Sequence, residues 1–256
     1  MSTRTFKFSV ILFSIVFHWT LQAQTHHGEV SAWNVAKLNT AVNESYMTVQ
    51  EKDMILEINK LRSNPKKYAE GLEHFLDKAK ERLKNVGKGA RNYSVRTSYS
   101  SSNNSRVEAY DTTWNYENEE EVKAIKSLIL KLNTLSPLSI LLPSNGIYVA
   151  AKKHAIDQIP TGEIDHIGTD GSRPWDRIKK TAPSMKESSE NIACGEDNAR
   201  AIVIQLLIDS GIPGYGHREN LLNPHWTHCA CYHVGHIAKG LSCCYWIQNF
   251  GTVYTY

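Results

Sequence analysis

The sequence predicts an α+β domain of three layers, with helices packed around a small antiparallel sheet. Three observations carry this. Apolar residues recur at helical spacing in several stretches between Met54 and Ile156 and again from Ala199 onward. The last quarter changes character, to short runs rich in aromatic and β-forming residues at 229–234 and 243–249. A turn-like segment, His236-Ile237-Ala238-Lys239-Gly240, lies between those two runs and reads as a hairpin loop. Helices with one apolar stripe need a sheet face to cover, and layering follows from that need.

The chain starts with Arg4 and Lys7, an apolar run from Phe8 through Phe17, and then Leu21-Gln22-Ala23. This is the pattern of a secretory signal peptide over 1–23. The run is far short of the roughly 20 residues that a spanning helix needs, so no transmembrane anchor is expected in the mature chain. The expected location is secreted, periplasmic or otherwise extracellular. Residues 24–48 are polar without a sustained period and read as a loose mature N-terminus. The domain proper is expected over 49–256.

Within it, Met54, Ile55, Ile58 and Leu61 mark the first helix, and Asn64-Pro65 supplies a cap and a first-turn proline for a second helical piece from 66 to about 85. Residues 86–118 shift to Ser, Asn, Tyr and Arg, with too little apolar surface to offset ordering, so they read as an exposed, partly disordered insertion. Glu119-Glu120-Glu121 opens the next helix with acidic groups at its positive end, and Val122, Ile125, Leu128, Ile129 and Leu132 form its stripe. Ser144-Asn145 caps a helix to about residue 159 that carries His154. Pro174 starts a short helix through Lys180. Asp197 is expected to cap an apolar helix over 199–209, closed by Gly211.

The net charge of +3 arises from 29 basic and 26 acidic residues mixed along the chain, with no basic cluster interleaved with aromatics. Nucleic acid is therefore not an expected partner. Five cysteines in an exported chain predict disulfides. At least one bridge is expected to join Cys229 or Cys231 to Cys243 or Cys244 across the hairpin, leaving Cys194 as a small buried hydrophobe. The spacing of the four late cysteines lacks the Cys-x2-Cys knuckles of structural zinc sites.

Four short polar clusters border apolar segments in the last third: Asp165-His166-Ile167-Gly168, Ser189-Glu190-Asn191, Asp209-Ser210-Gly211 and Gly216-His217-Arg218-Glu219-Asn220. Two imidazoles and two carboxylates at the mouth of one cleft would bind a metal or move protons. His154, a lone helical histidine, is a secondary candidate. The plain alternative is a satisfied hydrogen-bonded network that ties loops to the sheet.

These clusters, in their order, resemble the CAP superfamily of cysteine-rich secretory, venom-allergen and pathogenesis-related proteins, in its bacterial, SCP-like branch. The resemblance is carried by residues 55–65, Ala150-Ala151-Lys152-Lys153-His154-Ala155, His166-Ile167-Gly168-Thr169-Asp170-Gly171-Ser172 before Arg177-Ile178, Glu190-Asn191-Ile192-Ala193 with Gly195, 206–211, 216–224 and Trp246-Ile247-Gln248-Asn249-Phe250-Gly251. It implies a three-layer α-β-α sandwich with a central cleft of two histidines and two acids, in which several members hold Zn or another divalent ion. Carried over by motif, His166 and His217 would be the metal pair, Glu190 the first acid and Asp209 the second, where the family usually has the longer Glu. Ser189 stands in place of the usual Gly, and Cys229-Ala230-Cys231 in place of Gly-Val-Gly. The function implied is an extracellular binding module for a lipid, carbohydrate or protein ligand. The alternative is a metal-dependent, peptidase-like hydrolase using the same His166, Glu190, Asp209 and His217 as catalytic residues. Two protein ligands are fewer than a committed catalytic zinc has, and no Ser or Cys stands by motif as a nucleophile.

Overall fold

The computed structural model describes residues 33–88, 90–94, 97–102, 105–108, 114–160, 164–235 and 243–254, the backbone alone over 90–117. The predicted signal segment 1–23 and the hairpin loop 236–240 lie outside the described residues. Thr48 opens the first long helix with a capping box: its hydroxyl accepts from the Glu51 N–H, and the Glu51 carboxylate accepts from the Thr48 N–H at 2.7 Å. The helices in chain order are α1 (Val35–Leu38), α2 (Val49–Ser63), α3 (Pro65–Glu70), α4 (Glu73–Val86), α5 (Asn118–Thr134), α6 (Asn145–Gln158), α7 (Pro174–Thr181), α8 (Ala199–Ile208) and α9 (Gly216–Leu222). The strands are β1 (Ala90–Ser94), β2 (Thr97–Ser102), β3 (Ser105–Glu108), β4 (Trp114–Glu117), β5 (Leu142–Pro143), β6 (Glu187–Gly195), β7 (His228–Val234) and β8 (Cys244–Thr252).

The main sheet has the order β3-β2-β6-β8-β7-β5 and is antiparallel except for the short parallel contact of β5 with β7; β1 and β4 pair separately. Side chains alternate along β8. Cys244, Trp246 and Phe250 join the cluster that contains Met54, Leu206 and Leu221, while Tyr245 and Ile247 pack with Ala151, Ala155 and Ile192. Thus α2, α8 and α9 cover one face, α6 and α7 cover the other, and the expected three-layer α+β sandwich is present. Buried polar side chains lock the irregular segments. Asn59 donates to the carbonyls of Leu38 and Leu141, and Arg62 donates to those of Ser139, Leu221 and Asn223.

Several expectations need correction. The helical piece over 66–85 is two helices, broken at Gly71, where an added Cβ would stand 2.6 Å from an Arg200 nitrogen. Residues 33–48 are not loose: Leu38, Ala41 and Met47 are buried, held down through Asn59. Within the 86–118 insertion the described residues of 90–117 form strands, and β2 adds to the open edge of β6, pairing Thr97 with Ile192 through Ser101 with Ser188. Backbone pairing on a free strand edge needs no apolar side chain, which is why composition did not reveal it. The cap of α8 is Asn198, whose side chain accepts from the Ala201 N–H, rather than Asp197.

The cysteine pairing also differs. The disulfide joins Cys194 to Cys243, with Cα atoms 5.6 Å apart, and Cys229, Cys231 and Cys244 are free and buried. Cys194 lies opposite Tyr245, so Cys243, two residues earlier, is its diagonal neighbour on the same face. Cys229 and Cys231 lie opposite Phe250 and Gln248, several residues along β8 from Cys243 and Cys244 and out of bonding reach.

Candidate functional site

The site is organised by two consecutive residues of β6. Because strand side chains alternate, Glu190 points to the α6–α7 face, and Asn191 points to the face covered by α9. Both are fully buried, as are His154, His166, Asp209 and His217.

On the first face, Glu190 meets three partners. His166 Nδ1 lies 2.8 Å from its Oε1, the Arg177 guanidinium donates to both carboxylate oxygens at 3.0 and 3.1 Å, and His154 Nε2 stands 3.8 Å away. Arg177 comes from α7, started by Pro174, and its other terminal nitrogen donates to the carbonyls of His166 and Ser172. That fork clamps the His166 loop onto the helix. Burial alone would raise the Glu190 carboxyl, but Arg177 together with the two histidines outweighs it and holds the group at about 2. His154 is pushed the other way, down, chiefly by burial, so it is neutral at pH 7 and donates from Nε2 to the Asp165 carbonyl at 2.7 Å. Arg177 is therefore the standing charge that keeps Glu190 ionised.

The second couple is set by backbone conformation. Asp209 ends α8 in the left-handed region (φ 54°), which Asp tolerates better than most residues, and Tyr215 before α9 does the same (φ 53°). The two reversals return the chain so that Asp209 Oδ2 accepts from the His217 N–H at 3.0 Å, with Oδ1 2.8 Å from His217 Nδ1. The shorter Asp thus reaches its histidine. Asn191 then fastens α9 to the sheet: it donates to the His217 carbonyl and to Gln248, and accepts from Asn220 at 2.7 Å.

The contacts join the four predicted residues as two couples, His166 with Glu190 and His217 with Asp209, on either side of β6. In each, the carboxylate holds Nδ1, which directs the imidazole proton there and puts the ring's lone pair on Nε2. Metal-binding histidines are oriented in this way, but the couples stand on opposite faces of β6, and among the described residues these four donors do not gather around one point as the ligands of a single ion. His217 sits in the first turn of α9. Sequence reasoning undervalued His154 and gave Arg177 no role, although Arg177-Ile178 stands among the residues of the resemblance and lies one turn into a proline-started helix close behind His166.

A cavity of about 300 Å³ opens between α6 and α7. His154 and Arg177 line it, with Lys153 and Lys180 as further cations and Asp157 and Asp170 as anions. Both aspartates are engaged: Asp157 accepts from the Thr169 N–H at 2.7 Å, and Asp170 from the Ser172 N–H at 2.8 Å.

Comparison with known proteins matches residues 131–250 to the model of the cysteine-rich secretory protein family, CAP. The chain is 27% identical over 132 residues to the uncharacterized protein YkwD of Bacillus subtilis (strain 168), covering 52% of this chain and 46% of that protein, so it spans less than half the length of this curated relative. Among solved structures it is similar to an outer surface protein from Borrelia burgdorferi, at 24% identity and a TM-score of 0.39, over 53% of this chain and 95% of that one. It is also similar to an extracellular protein containing a SCP domain from Bacillus anthracis str. Ames, at 21% identity and a TM-score of 0.37, over 54% and 42% of the two chains.

Proposed function

Because the chain belongs to the CAP, or cysteine-rich secretory protein, family in its bacterial SCP-like form, we propose that it is an extracellular binding domain that takes an anionic ligand group into the cleft between α6 and α7. One observation carries this reading: His154 and Arg177 line the cleft and also reach the buried Glu190, at 3.8 and 3.0 Å. A ligand in the cleft therefore touches the same groups that hold the buried polar centre together. Its charge preference follows from accounting for the ions. Asp157 and Asp170 stay anionic, but their oxygens are turned to neighbouring donors and Lys180 acts electrostatically on Asp170, whereas Lys153 presents its ammonium to a guest beside Arg177 and His154. A carboxylate, sulfate or phosphate on a carbohydrate, lipid or protein suits such a wall. The signal-like segment 1–23 and the Cys194–Cys243 bridge support an extracellular setting.

Binding is favoured over turnover for a chemical reason. Glu190, held at about 2 and clamped by Arg177, is a weak general base near neutral pH. A divalent ion such as Zn at either couple would be held by His166 or by His217, with Glu190 or Asp209 fixing the ring. Such an ion would supply Lewis acidity and is the basis of the alternative, a metal-dependent hydrolase.

The test is binding to acidic and neutral oligosaccharide arrays and to vesicles with and without anionic lipid. Wild type is expected to retain acidic targets, and Lys153→Glu with Lys180→Glu to lose them. Equal retention by the two proteins would remove the proposal. Chelator-sensitive cleavage of peptide or ester substrates, absent in His166→Ala with His217→Ala, would replace it with the hydrolase reading.

A further inference from the structure

We propose that Asp197, His233 and Cys244, outside the site above, form a binding site for a zinc-class divalent ion with one coordination position left open. Their ligand atoms all lie within 4.8 Å of one another. Ligands around a zinc-sized ion stand about 3–4 Å apart, given bonds of about 2.0–2.3 Å, so small side-chain rotations close the set. The donors are a thiolate sulfur, an imidazole nitrogen and a carboxylate oxygen. That mixture suits a borderline ion such as Zn and disfavours Mg and Ca, which prefer oxygen alone.

Strand register creates the juxtaposition. His233 of β7 lies opposite Trp246, and Cys244, two residues before Trp246 on β8, shares its face of the sheet. Gly195, the last residue of β6, lies opposite Cys244, and Asp197 follows two residues later in the loop before α8. One ligand thus comes from the end of each of three adjacent strands.

The surroundings hold these groups in place. The His233 ring packs on the Trp246 ring, with centroids 4.0 Å apart, and the Trp246 indole N–H donates to the Glu196 carbonyl beside Asp197 at 3.0 Å. One tryptophan therefore orients the histidine and the aspartate loop together. The His233 backbone N–H donates to Glu51 at 3.1 Å, fixing the strand beneath. Positioning contacts of this sort commonly surround metal ligands.

A second observation points to a ligand. The His233 side chain is only 9% exposed, and its Nε2 is buried; it comes within 2.9 Å of Asp197 Oδ1 but makes no hydrogen bond of acceptable geometry with a described group. A buried ring nitrogen lacking such a bond is costly unless something else satisfies it. An ion between the nitrogen, the carboxylate and the sulfur would do so. Asp197 is 55% exposed and lines a groove of about 340 Å³ between α2 and the start of α8, so water or an anionic group can reach the open position.

The test uses cobalt as a spectroscopic stand-in for zinc, with the full exported chain. Wild type is expected to bind Co²⁺ with a sulfur-to-metal charge-transfer absorption, displaced by Zn²⁺. Cys244→Ser should lose that absorption and bind zinc roughly tenfold more weakly or worse. Asp197→Asn, at an exposed position that leaves the fold intact, should keep the absorption but weaken zinc binding. His166→Ala with His217→Ala should retain the absorption, which separates this site from the two histidine–carboxylate couples. No charge-transfer absorption in wild type, an absorption that survives Cys244→Ser, or zinc affinity unchanged in Asp197→Asn would each overturn the proposal.

Discussion

Glu190 and Asn191 are neighbours in β6 with opposite duties: Glu190 binds Arg177 and His166 on one face of the sheet, and Asn191 binds Asn220 and the His217 carbonyl on the other. A single dipeptide thereby fastens both histidine-bearing segments to one strand. The cost of burying a carboxylate here is offset by a bidentate guanidinium, and the amide is satisfied by three hydrogen bonds.

Replacing Glu190 with Gln should therefore destabilise strongly, because it leaves the Arg177 guanidinium in a buried place without its counter-charge. Breaking one partner of a buried pair typically costs about 3–5 kcal/mol. Urea unfolding of Glu190→Gln measures this loss. The double variant Glu190→Gln with Arg177→Met should recover part of it, since no lone charge then remains. A single variant as stable as wild type would show that the pair contributes nothing.

Acid stability follows from the same carboxylate. Its pKa in the folded chain is about 2 against an ordinary 4.5. A depressed folded-state value means that the folded state binds the proton less readily than the unfolded chain. The stabilisation is complete above about pH 4.5 and is lost as pH falls toward 2. Its size is on the order of 3 kcal/mol. Thermal unfolding from pH 6 down to 2 should show a fall that Glu190→Gln largely lacks.

The Cys194–Cys243 bridge closes a separation of 49 residues. Chain-entropy reasoning assigns such a loop about 4 kcal/mol of stabilisation. Non-reducing peptide maps should recover Cys194 linked to Cys243, with Cys229, Cys231 and Cys244 as thiols. Cys194→Ser with Cys243→Ser should lower the unfolding midpoint, while Cys229→Ala should produce the smaller loss of a trimmed core side chain.

The legible parts of this chain were those whose physics is local. The stripe of Met54, Ile55, Ile58 and Leu61 and the caps at Ser144 and Pro174 announce α2, α6 and α7, and the family resemblance picked out the four residues that form the two couples. Strand β6 was hidden because Ser188, Ser189, Glu190 and Asn191 are polar yet buried, satisfied by partners distant in sequence. Missing that strand also hid the partner of Cys243. The convergence of Asp197, His233 and Cys244 depends on the register of three strands, which no single segment reveals.

Strand β2 covers β6 with its backbone at the residues that carry the site. Tyr99 lies opposite Glu190 and Ser100 opposite Ser189 in an antiparallel ladder, so the edge of β6 that would otherwise be free is paired from Ser188 to Ile192. Proline cannot donate to a ladder, and its ring disturbs the strand that holds it. Ser100→Pro should therefore detach β2, which also packs near α9, while leaving α2 and α6 in place. Hydrogen exchange should speed up across 188–192 while α2 and α6 keep their protection. If the amides of 188–192 exchange as slowly in Ser100→Pro as in wild type, β2 is not what covers that edge. If they quicken, the polar centre around Glu190 is shielded by a segment outside the family's matched region, and removing the shield should also increase water access to the His166–Glu190 couple.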